Sequence, residues 1–464
     1  MLSHRTFPVV FLFVLGSFAV APRQSVVTLA EKGYNEMILS TKEVLTMRFE
    51  GVAVRPADIL LPADGISPET WACVACDQYT SQPDYWNKVS ALVGAKPSTL
   101  NLMLPECWLS ESAARIPDVH LSMRCYLESG LLAPGVNDGF VLCERTIASG
   151  TRLGLVCAID LEDYDFTKGS LPLVRPTEQT IASRLPARLA IRRGAPVELS
   201  HILILIDDPD HLLLKPLQAR KSTLRPLYDF DLMMNGGHLA GWAVETPEDL
   251  AAVEAALNTI KSRLGEDPML LAVGDGNHSL ATAKAYWNEV RETLSEEERK
   301  THPARFALCE IENIHDEALL FEPIHRVVTG VSSEALLDAW NTYATARGMT
   351  LQSRGEGHAF TVITAAGDKS VVVGSPEGAI PTETVQKFLD DFLSSHPEAA
   401  IDYIHGEDSL RSLVTDGNVT GFLLPAINKN TFFEDVLTLG VLPRKTFSMG
   451  EADEKRFYME SKLI

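Results

Sequence analysis

Short apolar runs recur along this chain with amphipathic stretches between them, and that alternation limits the fold more than any other feature. WACVAC (71–76), LGLVCAIDL (153–161), HILILIDD (201–208), MLLAV (269–273), RFALCEI (305–311) and SVVVG (370–374) have strand length and β-branched content. PDYWNKVSALV, TPEDLAAVEAALNTIKSRL and TVQKFLDDFLSS place apolar residues at helical spacing. The expected class is α/β or mixed α+β. No repeat, heptad array or low-complexity block is present, which argues against solenoids and coiled coils. A length of 464 residues exceeds one ordinary core. Near residue 330 the pattern changes: VSSEALLDAWNTYATARG begins a helix, and AFTVITAAGDKSVVVG reads as a hairpin turning at Ala365 to Asp368. The expected organisation is a leader or over-called start over 1–46, a main α/β domain over 47–330 and a C-terminal α/β segment over 331–464.

The first residues, MLSHRTFPVVFLFVLGSFAVAPRQ, combine a basic start, an apolar stretch and Ala19-Val20-Ala21 as a cleavage pattern. That is a signal-peptide shape, although Pro22 is an awkward residue after the cut and Met47 opens MRFEGVAVRPADILLP as a natural beginning. Seven scattered cysteines, an odd number, suit a reducing compartment better than a disulfide framework. A cytoplasmic protein is expected, with export the alternative if residues 1–21 form a true signal. The balance of 41 basic against 62 acidic residues gives a net charge of -21, which repels nucleic acid and anionic membranes. Neither is an expected partner, and any bound phosphate needs a locally shielded pocket.

One apolar run ends unusually. MLLAVGDGNHSLATAKAYWNEV, residues 269–290, stops at Gly274, inserts Asp, Gly, Asn and His, and then starts a helix with Leu280, Ala283, Trp287, Val290 and Leu294 on one face. A strand feeding a helix start through glycines can build an anion site. First-turn amides and the positive end of the helix dipole point at the ligand, and Gly274 and Gly276 admit it without a β-carbon in the way. Asn277 or Asp275 is expected to cap the helix. The same string also reads as a capped helix after a tight turn, with no ligand. The phosphate loop GxxxxGK[ST] is absent, and so is the third glycine of a dinucleotide fingerprint. Asp275 would repel a phosphate unless a divalent cation stood between them, so the functional reading brings Mg²⁺ together with a nucleotide.

Taken with ILLPADGISPETWACVACDQYTSQPDYW, RPTEQTIASRLPAR, FEPIHRVV, IDYIHG and VLPRKTFSMG, the stretch LAVGDGNHSLATAKA resembles a widespread bacterial family described as a domain of unknown function. The likeness runs from about Met47 to the C-terminus. GDGNHS is in turn similar to the phosphate-binding helix start of the ParB and sulfiredoxin-like superfamily, which includes nucleotide-binding partition proteins, ATP-dependent sulfiredoxins and a free-serine kinase. The resemblance implies a ParB/sulfiredoxin-like nucleotide-binding core elaborated with further strands and helices. It implies ATP or ADP as cofactor, with CTP the pyrimidine alternative, and places Gly276 and His278 at the phosphates beside Gly274, Asn277 and Ser279. Asn277 stands where sulfiredoxins hold a reactive cysteine, so sulfinic-acid reduction is not implied. Ser279 stands where many relatives have arginine, which removes a bidentate phosphate donor.

Asp77 follows the WACVAC run, and strand ends are where α/β proteins collect site residues. In the family resembled, an acidic residue recurs at this motif; a helix cap is the plainer role. Cys73 and Cys76 form a CxxC without a second pair or spaced histidines, and read as structural thiols. RPTEQTIASRLPARLAIRRG gathers Arg175, Glu178, Arg184, Arg188, Arg192 and Arg193. Such a cluster either holds phosphates, with Arg175 and Arg184 assigned to the cofactor, or consists of solvated helical arginines paired to carboxylates. Glu178 amid arginines is expected to keep a depressed pKa, which suits a metal ligand alongside Asp275. His238 in MNGGH and His325-Arg326 in FEPIHRVV read as structural.

Two function classes follow. The first is a Mg²⁺- and nucleotide-dependent phosphotransferase on a small hydroxyl-bearing metabolite such as an amino acid, with Asp77 and His278 catalytic. The second is a nucleotide-binding switch or scaffold without turnover. Nothing in the sequence sets the oligomeric state.

Overall fold

The runs LGLVCAID and LILI are apolar at consecutive positions because they are central strands covered on both faces. In the strand Gly150–Asp160, Leu155, Cys157 and Ile159 enter one core while Val156 and Ala158 enter the other. Leu203–Ile206 is buried throughout. The computed structural model describes residues 49–199 and 202–464, so the expectations for residues 1–46 lie outside it.

The fold is mixed α/β and holds two sheets. The larger has twelve strands, running Val174–Arg175, Leu271–Asp275, Leu203–Ile206, Phe306–Asn313, Gly150–Asp160, Leu132–Ile147, Ala57–Pro62, Ser461–Leu463 and Val197–Leu199, with Val54–Arg55, Arg225–Asp231 and His238–Val244 off that path. Two pairings are parallel, Leu271–Asp275 with Val174–Arg175 and Phe306–Asn313 with Leu203–Ile206. On one face lie the helices Pro247–Lys261 and Asn277–Arg291, on the other Pro83–Val93 and Ser112–Glu128. Thr246 accepts from the Asp249 amide at 3.2 Å and caps the first of these helices.

The seven-stranded sheet is antiparallel throughout: Thr350–Gln352, Gly367–Gly374, His358–Thr364, Val419–Leu423, Phe321–Thr329 and Ala400–His405, with Phe447–Met449 on the far part of Phe321–Thr329. The hairpin turns within the expected stretch but more tightly, at Ala365 and Ala366, so that Gly367 and Asp368 already pair with Thr364 and Ile363. The helices Ser333–Ala346 and Pro381–Ser395 cover one face through Trp340 and Phe388, whose rings stand 4.3 Å apart. Burying each such side chain contributes about 1.5–3 kcal/mol.

WACVAC is not the strand its alternation suggests. Trp71 closes the short helix Pro68–Trp71, and only Val74 makes a bridge, to Phe457. Trp71, Cys73, Val74 and Ala75 all enter the same core, so an irregular segment buried on every side reproduces a strand-like apolar run. Among the described residues no helix is long and apolar enough to cross a membrane.

Candidate functional site

The strand Leu271–Asp275 delivers its last residues to the start of Asn277–Arg291, where Gly276 is the N-cap with φ of 82°. Glycine enters this left-handed region without the clash a β-carbon brings. Leu280, Ala283 and Trp287 are buried, and Val290 and Leu294 pack against the same core, as the spacing predicts.

The N-cap is Gly276 and neither Asn277 nor Asp275, which corrects the expectation for both. Asn277 turns away: its Oδ1 accepts from the Thr177 amide at 3.1 Å and its Nδ2 donates to Thr177 Oγ1 at 3.2 Å. Thr177 Oγ1 donates in turn to the Val273 carbonyl at 2.6 Å. Asn277 therefore joins the PTEQT segment to the helix start. Asp275 Oδ1 accepts from Gly276 N at 2.8 Å, and its Oδ2 lies 3.0 Å from Nζ of the buried Lys455. The space left for a ligand at Gly274 is occupied: a β-carbon there would stand 2.3 Å from Met449 Sδ.

The arginine cluster disperses. Arg175 forks onto Asp267, Arg188 pairs with Glu106, Arg192 with Glu198 and Arg193 with Glu289. Arg188 and Arg192, four residues apart on the helix Leu185–Arg192, share one face, yet each is taken up by its own carboxylate. Arg184 and Arg188 remain close enough to act on His278. Glu178, expected to be depressed by arginines, is shifted the other way. Burial pushes its carboxyl up, Asp275 adds to this, and Lys445 opposes it. Its Oε1 accepts from the Lys445 amide at 3.1 Å.

His278 Nε2 accepts from the Ile181 amide at 3.4 Å, which leaves the proton of a neutral ring on Nδ1. Burial first, then Arg188, Arg184 and Lys445, push its pKa down to about 4, with Asp77 acting in the opposite sense. His278 is thus a neutral donor at pH 7. Asp77 and His278, remote in sequence, share one electrostatic neighbourhood. Gln78 Nε2 donates to Asp77 Oδ1 at 3.0 Å. Ser279 and Cys76, their chain neighbours, both line an adjoining pocket.

Three residues of this neighbourhood escaped the sequence reading: Lys445, Lys455 and His405. His405 keeps an open side to solvent, yet its pKa is pushed down to about 4, by desolvation first and then by Lys445, Lys455 and His325, with Asp275 opposing. IDYIHG and VLPRKTFSMG carried the family likeness without singling out a residue, and Lys455 sits in an acidic stretch, EADEKRFYME, with no local signal. The two other histidines singled out in the sequence are held in structural contacts. His325 Nδ1 accepts from the Leu424 amide at 3.2 Å, and His238 lies between Asp229 and Asp231 on a hairpin.

A family model described as a protein of unknown function, DUF1015, matches residues 60–392. The chain belongs to the DUF1015 family. Asp77, Glu178 and GDGNHS fall inside the matched span, whereas His405, Lys445 and Lys455 follow it. Among curated proteins none matches. Solved structures similar to this DUF1015 chain include a free serine kinase in complex with AMP, 14% identical, covering 63% of this chain and 86% of that one with a TM-score of 0.34. A conserved hypothetical protein from Pyrococcus furiosus is 14% identical over 67% of this chain and 94% of its own, with a TM-score of 0.33. C-terminally truncated SbnI from Staphylococcus aureus is 9% identical over 67% and 82%, with a TM-score of 0.32.

Asp275 and Glu178, the expected metal ligands, do lie in one neighbourhood. Among the described residues no group of three or more histidine, cysteine or acidic side chains is arranged to hold a metal ion. Mg²⁺ in phosphoryl-transfer sites takes one or two carboxylates and completes its shell with phosphate and water, so two carboxylates suffice in number. The Lys455 ammonium already stands on Asp275, however, so the protein alone builds a cation–carboxylate pair and not a metal cage.

Proposed function

We propose that this chain is a phosphotransferase that uses ATP or ADP, with CTP as a comparison, and acts on a small hydroxyl-bearing metabolite of the amino-acid kind. The observation that carries the reading is the charge around His278. In a chain of net charge -21, the charged groups that shift it most are three cations, Arg188, Arg184 and Lys445, set against one carboxylate, Asp77. They meet at a helix start whose N-cap is a glycine. Phosphoryl transfer needs chiefly positioning and charge neutralisation, which cations and helix amides supply. In this reading the acceptor hydroxyl oxygen bonds to the terminal phosphorus as the bond from that phosphorus to its bridging oxygen breaks. The hydroxyl proton passes to the Asp77 carboxylate, and the nucleotide leaves one phosphate shorter. His278 Nδ1–H donates to a phosphate oxygen. Magnesium belongs to the proposal as an ion arriving with the nucleotide, faced by Asp275 and Glu178.

Melts and calorimetry of the full chain with ATP, ADP or CTP, with Mg²⁺ or chelator, test binding, and a pooled metabolite library tests turnover. His278→Gln is expected to weaken nucleotide binding about tenfold to a hundredfold at pH 7.5, one hydrogen bond to a charged group. Asp77→Asn is expected to retain binding and lose turnover by about 10²-fold or more. Binding with no turnover of any library member would make the protein a nucleotide-binding switch. Equal stabilisation with and without chelator would remove the metal.

A further inference from the structure

The pocket that Ser279 and Cys76 help line has a volume of about 140 Å³. Its lining takes in Ser279, which follows His278, and Cys76, which precedes Asp77, together with Leu102, Leu104, Met123, Val197 and Leu308. Its charges cancel in pairs: Arg188 is bound to Glu106, and Arg192 donates to Glu198 at 2.5 Å. Glu198 also accepts from the Leu308 amide at 2.8 Å. Its hydroxyls are engaged as well, Thr282 Oγ1 donating to the His278 carbonyl at 2.7 Å and Tyr458 Oη accepting from the Cys76 amide at 3.1 Å.

A mainly apolar space whose arginines are paired with carboxylates disfavours a polar guest, because each ring nitrogen or amino group of an inserted nucleobase has to give up water for walls whose charged side chains are already engaged. Size points the same way. An apolar cavity of about 150 Å³ holds a benzene ring, so this pocket suits one ring or a branched aliphatic group and is short of a purine with its ribose. Its lining residues Cys76 and Ser279 adjoin Asp77 and His278 in the chain, the two residues beside which the proposed transfer puts the acceptor hydroxyl.

Resting on the phosphotransferase reading, we infer that this pocket receives the apolar body of the phosphoryl acceptor, which narrows the hydroxyl-bearing metabolite to one carrying a branched aliphatic or single-ring aromatic group. The transfer is the one written above, from the nucleotide's terminal phosphate to that metabolite's hydroxyl oxygen.

The test uses the full chain with 3-methylbutan-1-ol and benzyl alcohol as probes, free serine as the polar comparison, and Ala195→Phe to fill the pocket from a residue in its wall. The expected result is that both alcohols, and not serine, raise the melting temperature, and that Ala195→Phe abolishes the shift while its nucleotide Kd stays within about twofold. Ala195→Leu adds less bulk and repeats the test if the phenylalanine variant does not fold by circular dichroism. No shift with either alcohol on folded native protein overturns the inference. So does a tenfold or greater loss of nucleotide affinity in the filled variant, about 1.4 kcal/mol, which would make the pocket the base site. If the alcohols bind natively and nucleotide does not, the phosphotransferase reading fails while the pocket's ligand class stands.

Discussion

The neutrality of His278 has a measurable consequence for stability. Its folded pKa lies at about 4 against an ordinary 6.5, so the native state resists a proton that the unfolded chain accepts. At pH above 6.5 both states are neutral at this residue and the native fold carries no penalty. As the pH falls from 6.5 toward 4 the unfolded chain binds the proton first, and stability is lost across that window. The full drop corresponds to about 3 kcal/mol at roughly 1.4 kcal/mol per tenfold change in proton affinity. The ring is half-buried and solvent screens part of its field, which reduces the expected loss to about 1–2 kcal/mol. Urea unfolding at several pH values across this range, in native protein and in His278→Gln, isolates the effect. Glutamine keeps an acceptor for the Ile181 amide and does not titrate, and His405, shifted to a similar value, is present in both proteins and cancels in the difference. The native protein should lose that 1–2 kcal/mol relative to the variant as the pH falls. A constant difference over the whole range would refute the argument, because it would mean that His278 protonates equally in both states.

Gly276→Ala places a β-carbon at φ of 82° and 3.1 Å from Ile202 Cα, and should cost about 1–2 kcal/mol in denaturant unfolding. Gly274→Ala should cost about 1–3 kcal/mol through overpacking on Met449, and Met449→Ala in the same chain should return part of that loss; strict additivity in the double-mutant cycle would show that the two do not touch. If nucleotide binds as proposed, raising ionic strength from about 0.01 M to about 0.1 M should speed its association in stopped flow, because a screening length shortened from about 30 Å to about 10 Å weakens the repulsion from a net charge of -21. A slower association would mean that the local cations dominate the approach.

The fold class was legible because strand runs and helical periodicity are local signals. LILI and the two hairpin strands lie where the pattern puts them, and the MLLAV run is a strand displaced two residues onward, Leu271–Asp275. WACVAC misled because burial on all sides erases the difference between a strand and an irregular core segment. The glycine turn was legible as a turn, but the uses of its residues were not. Whether Asn277 caps its own helix or joins it to Thr177, and whether Gly274 admits a ligand or Met449, depends on what tertiary contact brings alongside. Proximity in sequence overstated the arginine cluster, since side chains close in the chain are each neutralised by a different carboxylate that tertiary contact brings alongside. Lys445 and Lys455 were invisible for the converse reason: they reach the helix start through sheet topology, and no motif around them records it.

The stretch from Leu442 to Glu460 is what holds that neighbourhood in register. The Leu442 amide donates to the Thr177 carbonyl at 2.8 Å, the Lys445 amide to Glu178, and Met449 fills the space beside Gly274. Arg145, buried in the larger sheet, donates to the carbonyls of Gly236, Asp453 and Lys455. Arg456 bridges Glu310 and Glu460, all three buried. Stability alone does not account for so many ions in a core, because desolvation offsets most of the attraction within buried pairs, and apolar replacements of similar volume often fold as well or better. Directionality accounts for it better. A guanidinium fork accepts few geometries, so carbonyls fixed on Arg145 allow the backbone at 453–455 little freedom to slide, whereas an apolar contact would tolerate a shift. The Nζ of Lys455 can stand 3.0 Å from Asp275 only while that register holds. The buried charges in the sheet and the Asp275–Lys455 pair at the helix start are therefore two ends of one positional constraint.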